Sequence, residues 1–170
     1  MDFKKIYSKY KGSGLGFTVI ELLVGISLFS ILSLIGILNY SKISFSYKKF
    51  DALSQVTEDL RIAQQQTVSE GGRGIFVIAA DGKSYSFGYD YLPYNLTEPI
   101  VPDSILWSNN LPKLIPVEST DLIIFNFQGR VVDKDGVIIS PTLTFKDTYD
   151  SAENIFRTGE LSSNGIFSLN

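Results

Sequence analysis

The stretch "KGSGLGFTVIELLVGISLFSILSLIGIL", residues 11–38, decides how the rest of the chain is read. From Phe17 to Leu38 the only formal charge is Glu21. As a helix these 22 residues rise about 33 Å, enough for a hydrocarbon core of about 30 Å. A helix apolar on every side is unusual inside a chain of 170 residues, so a membrane span is the expected reading. Four lysines (Lys4, Lys5, Lys9, Lys11) and Asp2 make residues 1–16 +3, which leaves −6 in the remainder of a chain of net charge −3. A basic start ahead of an apolar run places the N-terminus in the cytoplasm.

Three targeting readings compete for this segment. A cleaved secretory signal has a shorter apolar core and a small-x-small site. Here the span continues into "NYSKISFSYKKF", which has no such site. A plain signal anchor has no use for Glu21, because a carboxylate within a membrane helix is costly and marks function by default. A third reading supplies the carboxylate with a partner. The run "GFTVIELLVGISLFSILSLIG" resembles the N-terminal signature of type IV pilins and type II secretion pseudopilins. The resemblance implies a leader, residues 1–16, cut after Gly16 by a membrane prepilin peptidase, with N-methylation of the new terminal residue, Phe17. It implies that Glu21 of one subunit meets the Phe17 ammonium of a neighbour and so sets register in a filament. The alternative is that Glu21 only reaches back to the membrane interface. The family often has a helix-breaking proline where this chain has Leu38.

Past the span, Ile43, Tyr47, Phe50, Leu53, Val56, Leu60, Ala63 and Thr67 recur at spacings of three and four. This predicts an amphipathic continuation over 39–70, one face packed on a head, ending at the glycines of "EGGRG". Gly25 and Gly36 allow close approach of neighbouring helices, or act as hinges. From Gly74 the period becomes two. "GIFVIAADGKSYSFGYD" predicts strand, Asp81-Gly82 turn and strand, with Tyr85, Phe87 and Tyr89 alternating. Five of the six prolines fall within 93–116, which reads as an irregular loop or edge region. Strands resume in "DLIIFNF", "RVV", "VIIS", "TLTFK", "NIFRT" and "GIFSLN". The expected fold is therefore α+β and pilin-like. It is a long N-terminal helix, transmembrane and then amphipathic, packed on an antiparallel β-sheet head over 71–170. The stretches "EDLRIAQQQTVSEG" and "IIFNFQGRVV" further resemble minor pseudopilins of the H type and their pilus relatives.

The chemistry available is narrow. With no cysteine and no histidine, the chain lacks disulfides, thiolate nucleophiles, the commonest general base and the commonest zinc ligand. No enzyme is expected, and no cofactor. Asp133, Asp135 and Gly136 invite a calcium reading, but Val131 stands where an EF-hand loop needs an acid, and a type I′-like hairpin turn explains "DKDG". Some relatives bind calcium near the C-terminus, yet no matching motif is found here, so no metal site is assigned. The acidic "DTYDSAEN" at 147–154 reads as a solvated loop. Tyr85, Tyr89, Tyr91 and Tyr94 could stack bases, but Asp90 and Glu98 neighbour them, and the half-buried sheet surface is the simpler explanation. Neither Arg157 nor the pair Lys83-Ser84 has the surroundings that DNA binding or catalysis requires.

The resemblance therefore implies a structural filament subunit of a pilus or secretion pseudopilus. It would span the bacterial cytoplasmic membrane once, N-terminus inside and head outside. The implied partners are the prepilin peptidase, other subunits, the inner-membrane assembly platform and membrane lipid. Two alternatives stand beside it. One is a minor or tip subunit whose head captures a secreted substrate or DNA, the latter disfavoured by the acidic charge. The other is an anchored domain that never polymerises.

Overall fold

The computed structural model describes residues 17–92, 94, 100–112, 114–149 and 154–170. Contacts divide the chain into two units that part between Phe45 and Ser46. A single helix, α1 (Val19–Glu70), supplies the described residues of the first unit beyond Thr18 and opens the second. Its backbone is helical through Leu38, as the missing proline allows. It ends where expected: Gly71, at a φ of 68°, donates its N–H to the Thr67 carbonyl at 3.0 Å, a left-handed cap that a side chain would strain.

Among the described residues the second unit adds to α1 nine strands: β1 (Arg73–Ile78), β2 (Ser84–Asp90), β3 (Ser104–Asn110), β4 (Val117–Ser119), β5 (Ile123–Phe125), β6 (Val131–Val132), β7 (Thr142–Asp147), β8 (Asn154–Leu161) and β9 (Phe167–Leu169). They form two sheets, where one was expected. A five-stranded sheet has the order β3-β2-β1-β5-β6, and a four-stranded sheet the order β4-β7-β8-β9. Every pairing is antiparallel. The predicted β1–β2 hairpin is present in the register Phe76↔Phe87 and Ile78↔Tyr85. Tyr85, Phe87 and Tyr89 all point into the core, as the period of two requires.

The proline-rich region resolves differently from an irregular loop. Pro102 and Pro112 flank β3, which forms a margin of the larger sheet, where the missing N–H of a proline does no harm. Pro93 and Pro99 lie outside the described residues. "VIIS" does not form a strand. Only Ile138 bridges, to Val132.

The helix face also departs from expectation. Leu53, Val56, Leu60, Ala63 and Thr67 are buried, but Ile43, Tyr47 and Phe50 are exposed, the last two at 72% and 64%. Three successive spacings of three, from Tyr47 to Val56, each fall about 60° short of a full turn. Tyr47 therefore faces roughly opposite Val56. The seam continues instead through Ala52 and Lys49.

Polar side chains on α1 hold the two sheets to it. Gln64 Nε2 donates to the Gly129 carbonyl at 2.8 Å, in the β5–β6 loop, and to the Asn164 carbonyl at 2.6 Å, in the β8–β9 loop. One amide thus ties a loop of each sheet to the helix. Close approach governs Gly74: a Cβ there would stand 2.1 Å from Thr67 Oγ1 and 2.7 Å from the Phe87 ring. On the smaller sheet, Lys49 pairs with Asp147 and lies 5.1 Å over the Phe156 ring.

Burial of the Asp147 carboxylate opposes its ionisation. The hydrogen bond and charge of Lys49, together with the Tyr149 N–H at 3.0 Å, outweigh that and hold its pKa below the usual carboxylate value. A carboxylate whose pKa is lower in the folded than in the unfolded state contributes stability above the unfolded value, near 3.9, and loses it as pH falls through the folded one. In urea titrations of the detergent-solubilised chain, Asp147→Asn should therefore lower stability by about 1–3 kcal/mol at pH 7. The difference from wild type should shrink below about pH 4.

Candidate assembly site

The first turn of α1 builds the most defined polar cluster around a predicted residue. A helix leaves its first four N–H groups without intrahelical partners, and a hydroxyl followed three residues later by a glutamate can satisfy two of them reciprocally. Thr18 and Glu21 do so. The Glu21 N–H donates to Thr18 Oγ1 at 3.2 Å, while the Thr18 N–H and hydroxyl both donate to Glu21 Oε2 at 2.9 Å. Glu21 is thus anchored within its own chain, with its side chain folded back along the first turn. Among the described hydrogen bonds none reaches Oε1. The sequence reading named Glu21 and missed this cap, although Thr-x-x-Glu ahead of an apolar run is its recognised signal.

Phe17 and Glu21, predicted together, line one shallow hollow of about 280 Å³ with Leu22, Gly25, Ile26 and Phe29. Phe17 is 86% exposed. A Cβ added to Gly25 or Gly36 would meet nothing within 4 Å, so both positions leave the helix backbone open to approach. Gly16, the predicted cutting position, lies outside the described residues. Large apolar side chains from Val19 to Ile37 are exposed around the whole helix. Two of the hydroxyls between them bond internally, Ser27 donating to the Leu23 carbonyl and Ser30 to that of Ile26, both at 2.8 Å. Such a surface suits lipid or other apolar helices, and by length and composition α1 can cross a membrane.

The head's candidate chemistry resolves into structural work. Asp133 Oδ1 accepts from the N–H groups of Asp135 and Val137 at 2.9 and 2.8 Å. Gly136 N donates to the Asp133 carbonyl, and Asp133 N to that of Val137. With Gly136 at a φ of 83°, this is a three-residue loop closing on a left-handed glycine, not the expected type I′ turn. Tyr85 and Tyr89 face α1 and offer no stacking platform. Tyr85 donates to Asp59 Oδ2 at 2.5 Å, beside Asn109 Nδ2 at 2.8 Å from the same oxygen, and Tyr89 donates to the Gln66 carbonyl at 3.1 Å. Burial first, then the Asp59 carboxylate, raise the Tyr85 pKa well above its ordinary value, so the phenol stays protonated. Tyr91 and Tyr94 remain exposed. Of "DTYDSAEN", residues 150–153 lie outside the described residues, as does Glu98.

Two features of the head had no signal in the sequence. Arg73 and Asp90 face each other across the β1–β2 pair with side chains 8% and 0% exposed, and Arg73 Nε lies 3.4 Å from Asp90 Oδ2. The Tyr94 ring covers the guanidinium at 5.0 Å. Beside this pair opens a largely apolar hollow of about 600 Å³, walled by Leu92, Tyr94, Phe127 and Val132 and by the Asp133–Gly136 loop.

No family model matches the chain, and no curated protein matches it. Among solved structures it is similar to the type IV minor pilin FimU of Pseudomonas aeruginosa. The TM-score is 0.51 at 15% identity, over 71% of this chain and 86% of that one. A second crystal form of FimU gives 0.50 at 15% identity, over 71% and 90%. The minor pseudopilin EpsH from the type II secretion system of Vibrio cholerae aligns at 12% identity with a TM-score of 0.46, over 72% of this chain and 94% of its own. At such identities the likeness is one of fold, and the pilin-like α+β architecture expected from the sequence is the one observed.

Proposed function

We propose that the chain is a structural subunit of a type IV pilus or type II secretion pseudopilus. In this reading it inserts with its N-terminus in the cytoplasm, and prepilin peptidase removes residues 1–16 by cutting after Gly16. Phe17 then carries the new, N-methylated ammonium. The residues 17–38 pass from lipid into a core of packed helices, delivered by an inner-membrane assembly platform. Residues 39–70 join that helix to the extracytoplasmic head at 71–170. Contacts between different surfaces of successive copies do not close on themselves, so they generate an open fibre.

The observation that carries this reading is Glu21, held by Thr18 at the first turn of α1 and the only formal charge in the apolar run from Phe17 to Leu38. The cap leaves Oε1 available, and a neighbour's Phe17 ammonium is a charge of the right sign produced at the right depth. An ion pair there turns a cost in lipid into a register between subunits. The fold shared with FimU supports the same reading.

Mass spectrometry of the chain purified from cells tests the first step. The expected mature terminus is methylated Phe17. Recovery of residues 1–16 still attached, in cells that make a functional prepilin peptidase, sinks the proposal in favour of an anchored domain that does not polymerise.

A further inference from the structure

Among the described residues, α1 carries an apolar projection and the head an apolar hollow. Tyr47 and Phe50 stand three residues apart on α1, on neighbouring turns of one face. Both rings are turned away from the buried seam and exposed. Lys48 and Asp51, also exposed, flank them. The hollow of about 600 Å³ opens beside Gly72 and Arg73, just past the end of α1. Its apolar wall is Leu92, Tyr94, Phe127 and Val132, and its rim alternates Asp133, Lys134 and Asp135. Leu92 and Phe127 are among the most exposed large apolar side chains of the second unit.

We propose that Tyr47 and Phe50 of one copy seat in this hollow on a second copy. The volume admits two aromatic rings, and the alternating charges match: Lys48 against the rim aspartates, Asp51 against Lys134. The contact joins two different surfaces, so it repeats from copy to copy without closing. Phe50 precedes the end of α1 at Glu70 by some 20 residues, roughly 30 Å at about 1.5 Å each. Copies related by this seat, with their helices along the fibre, are therefore stepped by roughly 30 Å. Two rings bury on the order of 300–500 Å², well short of the roughly 800 Å² per partner of an independent complex. The seat therefore acts only where the apolar helices already gather the copies, and in that respect it rests on the filament reading above.

The chain has no cysteine, which makes the contact directly testable. Full-length chains carrying Asp51→Cys and Lys134→Cys, which face each other in this seat and leave both rings and the apolar wall intact, are produced together in membranes and fibres, then oxidised. The expected product is a mixed disulfide-linked dimer that neither chain forms alone. Adding Lys48→Asp to the first chain should abolish it, and adding Asp135→Lys to the second should restore it. Absence of the mixed dimer, or linkage of Asp51→Cys chains to one another, overturns the seat. Fibres that assemble without the mixed dimer overturn the seat and leave the subunit reading standing. A mixed dimer in membranes of a chain that never forms fibres supports the seat and overturns the subunit reading.

Discussion

A chain carrying Glu21→Gln should keep its helix start and fail to enter fibres. Glutamine offers an amide oxygen at the same reach, so it can accept from the Thr18 N–H and hydroxyl as Glu21 does. The cap survives while the charge is lost. A neighbour's Phe17 ammonium would then enter the packed helices with no carboxylate opposite, and a lone charge in that low-dielectric setting is strongly disfavoured. Glu21→Val removes both the cap and the charge. Circular dichroism of the processed, detergent-solubilised chains should show wild-type helix content for Glu21→Gln. Sheared-fibre yields should be close to zero for both variants. Wild-type fibre yield from Glu21→Gln would mean that the cap, not the ion pair, is what assembly requires.

The second large effect lies in the head. Arg73→Met should destabilise the folded chain by about 3–5 kcal/mol, because it leaves the fully buried Asp90 carboxylate without the cation across the β1–β2 pair. The pair itself stabilises little. Arg73 Nε and Nη2 are buried and make no hydrogen bond, and 3.4 Å is long for a charge-assisted contact. The double variant Arg73→Met with Asp90→Leu should therefore recover most of the loss, since an apolar pair of similar volume suits the same site. Urea denaturation of the two single variants and the double completes the cycle. A double variant as unstable as the worse single one would show that the site needs charge for another reason.

How much of this was legible beforehand depends on the range of the interaction. The apolar run, the Gly71 stop, the Asp81-Gly82 hairpin and the alternation Tyr85, Phe87, Tyr89 are local patterns, and each appears where expected. The cap between Thr18 and Glu21 was equally local and could have been read from four residues. The misplaced face at Ile43, Tyr47 and Phe50 shows the limit of counting spacings. Steps of three and four look alike on paper, but a run of threes walks around the helix. The division into two sheets was out of reach, because β4 leaves its chain neighbours to pair with β7, and periodicity is silent about partners.

The sequence by itself determined the long helix, its apolar first half, the lone carboxylate at its start and the order of most strands. All of these follow from hydrophobic periodicity, capping and turn chemistry within a few residues. Only the tertiary structure decided that Arg73 would oppose Asp90, and that Gln64 would clasp a loop from each sheet. It alone decided that Lys49 would reach Asp147, and that Tyr47 and Phe50 would be left outside. Those outcomes depend on which surfaces close over which, and on the burial and dielectric that closure creates. A charge or an aromatic ring carries no mark in the sequence of the side on which the chain will fold.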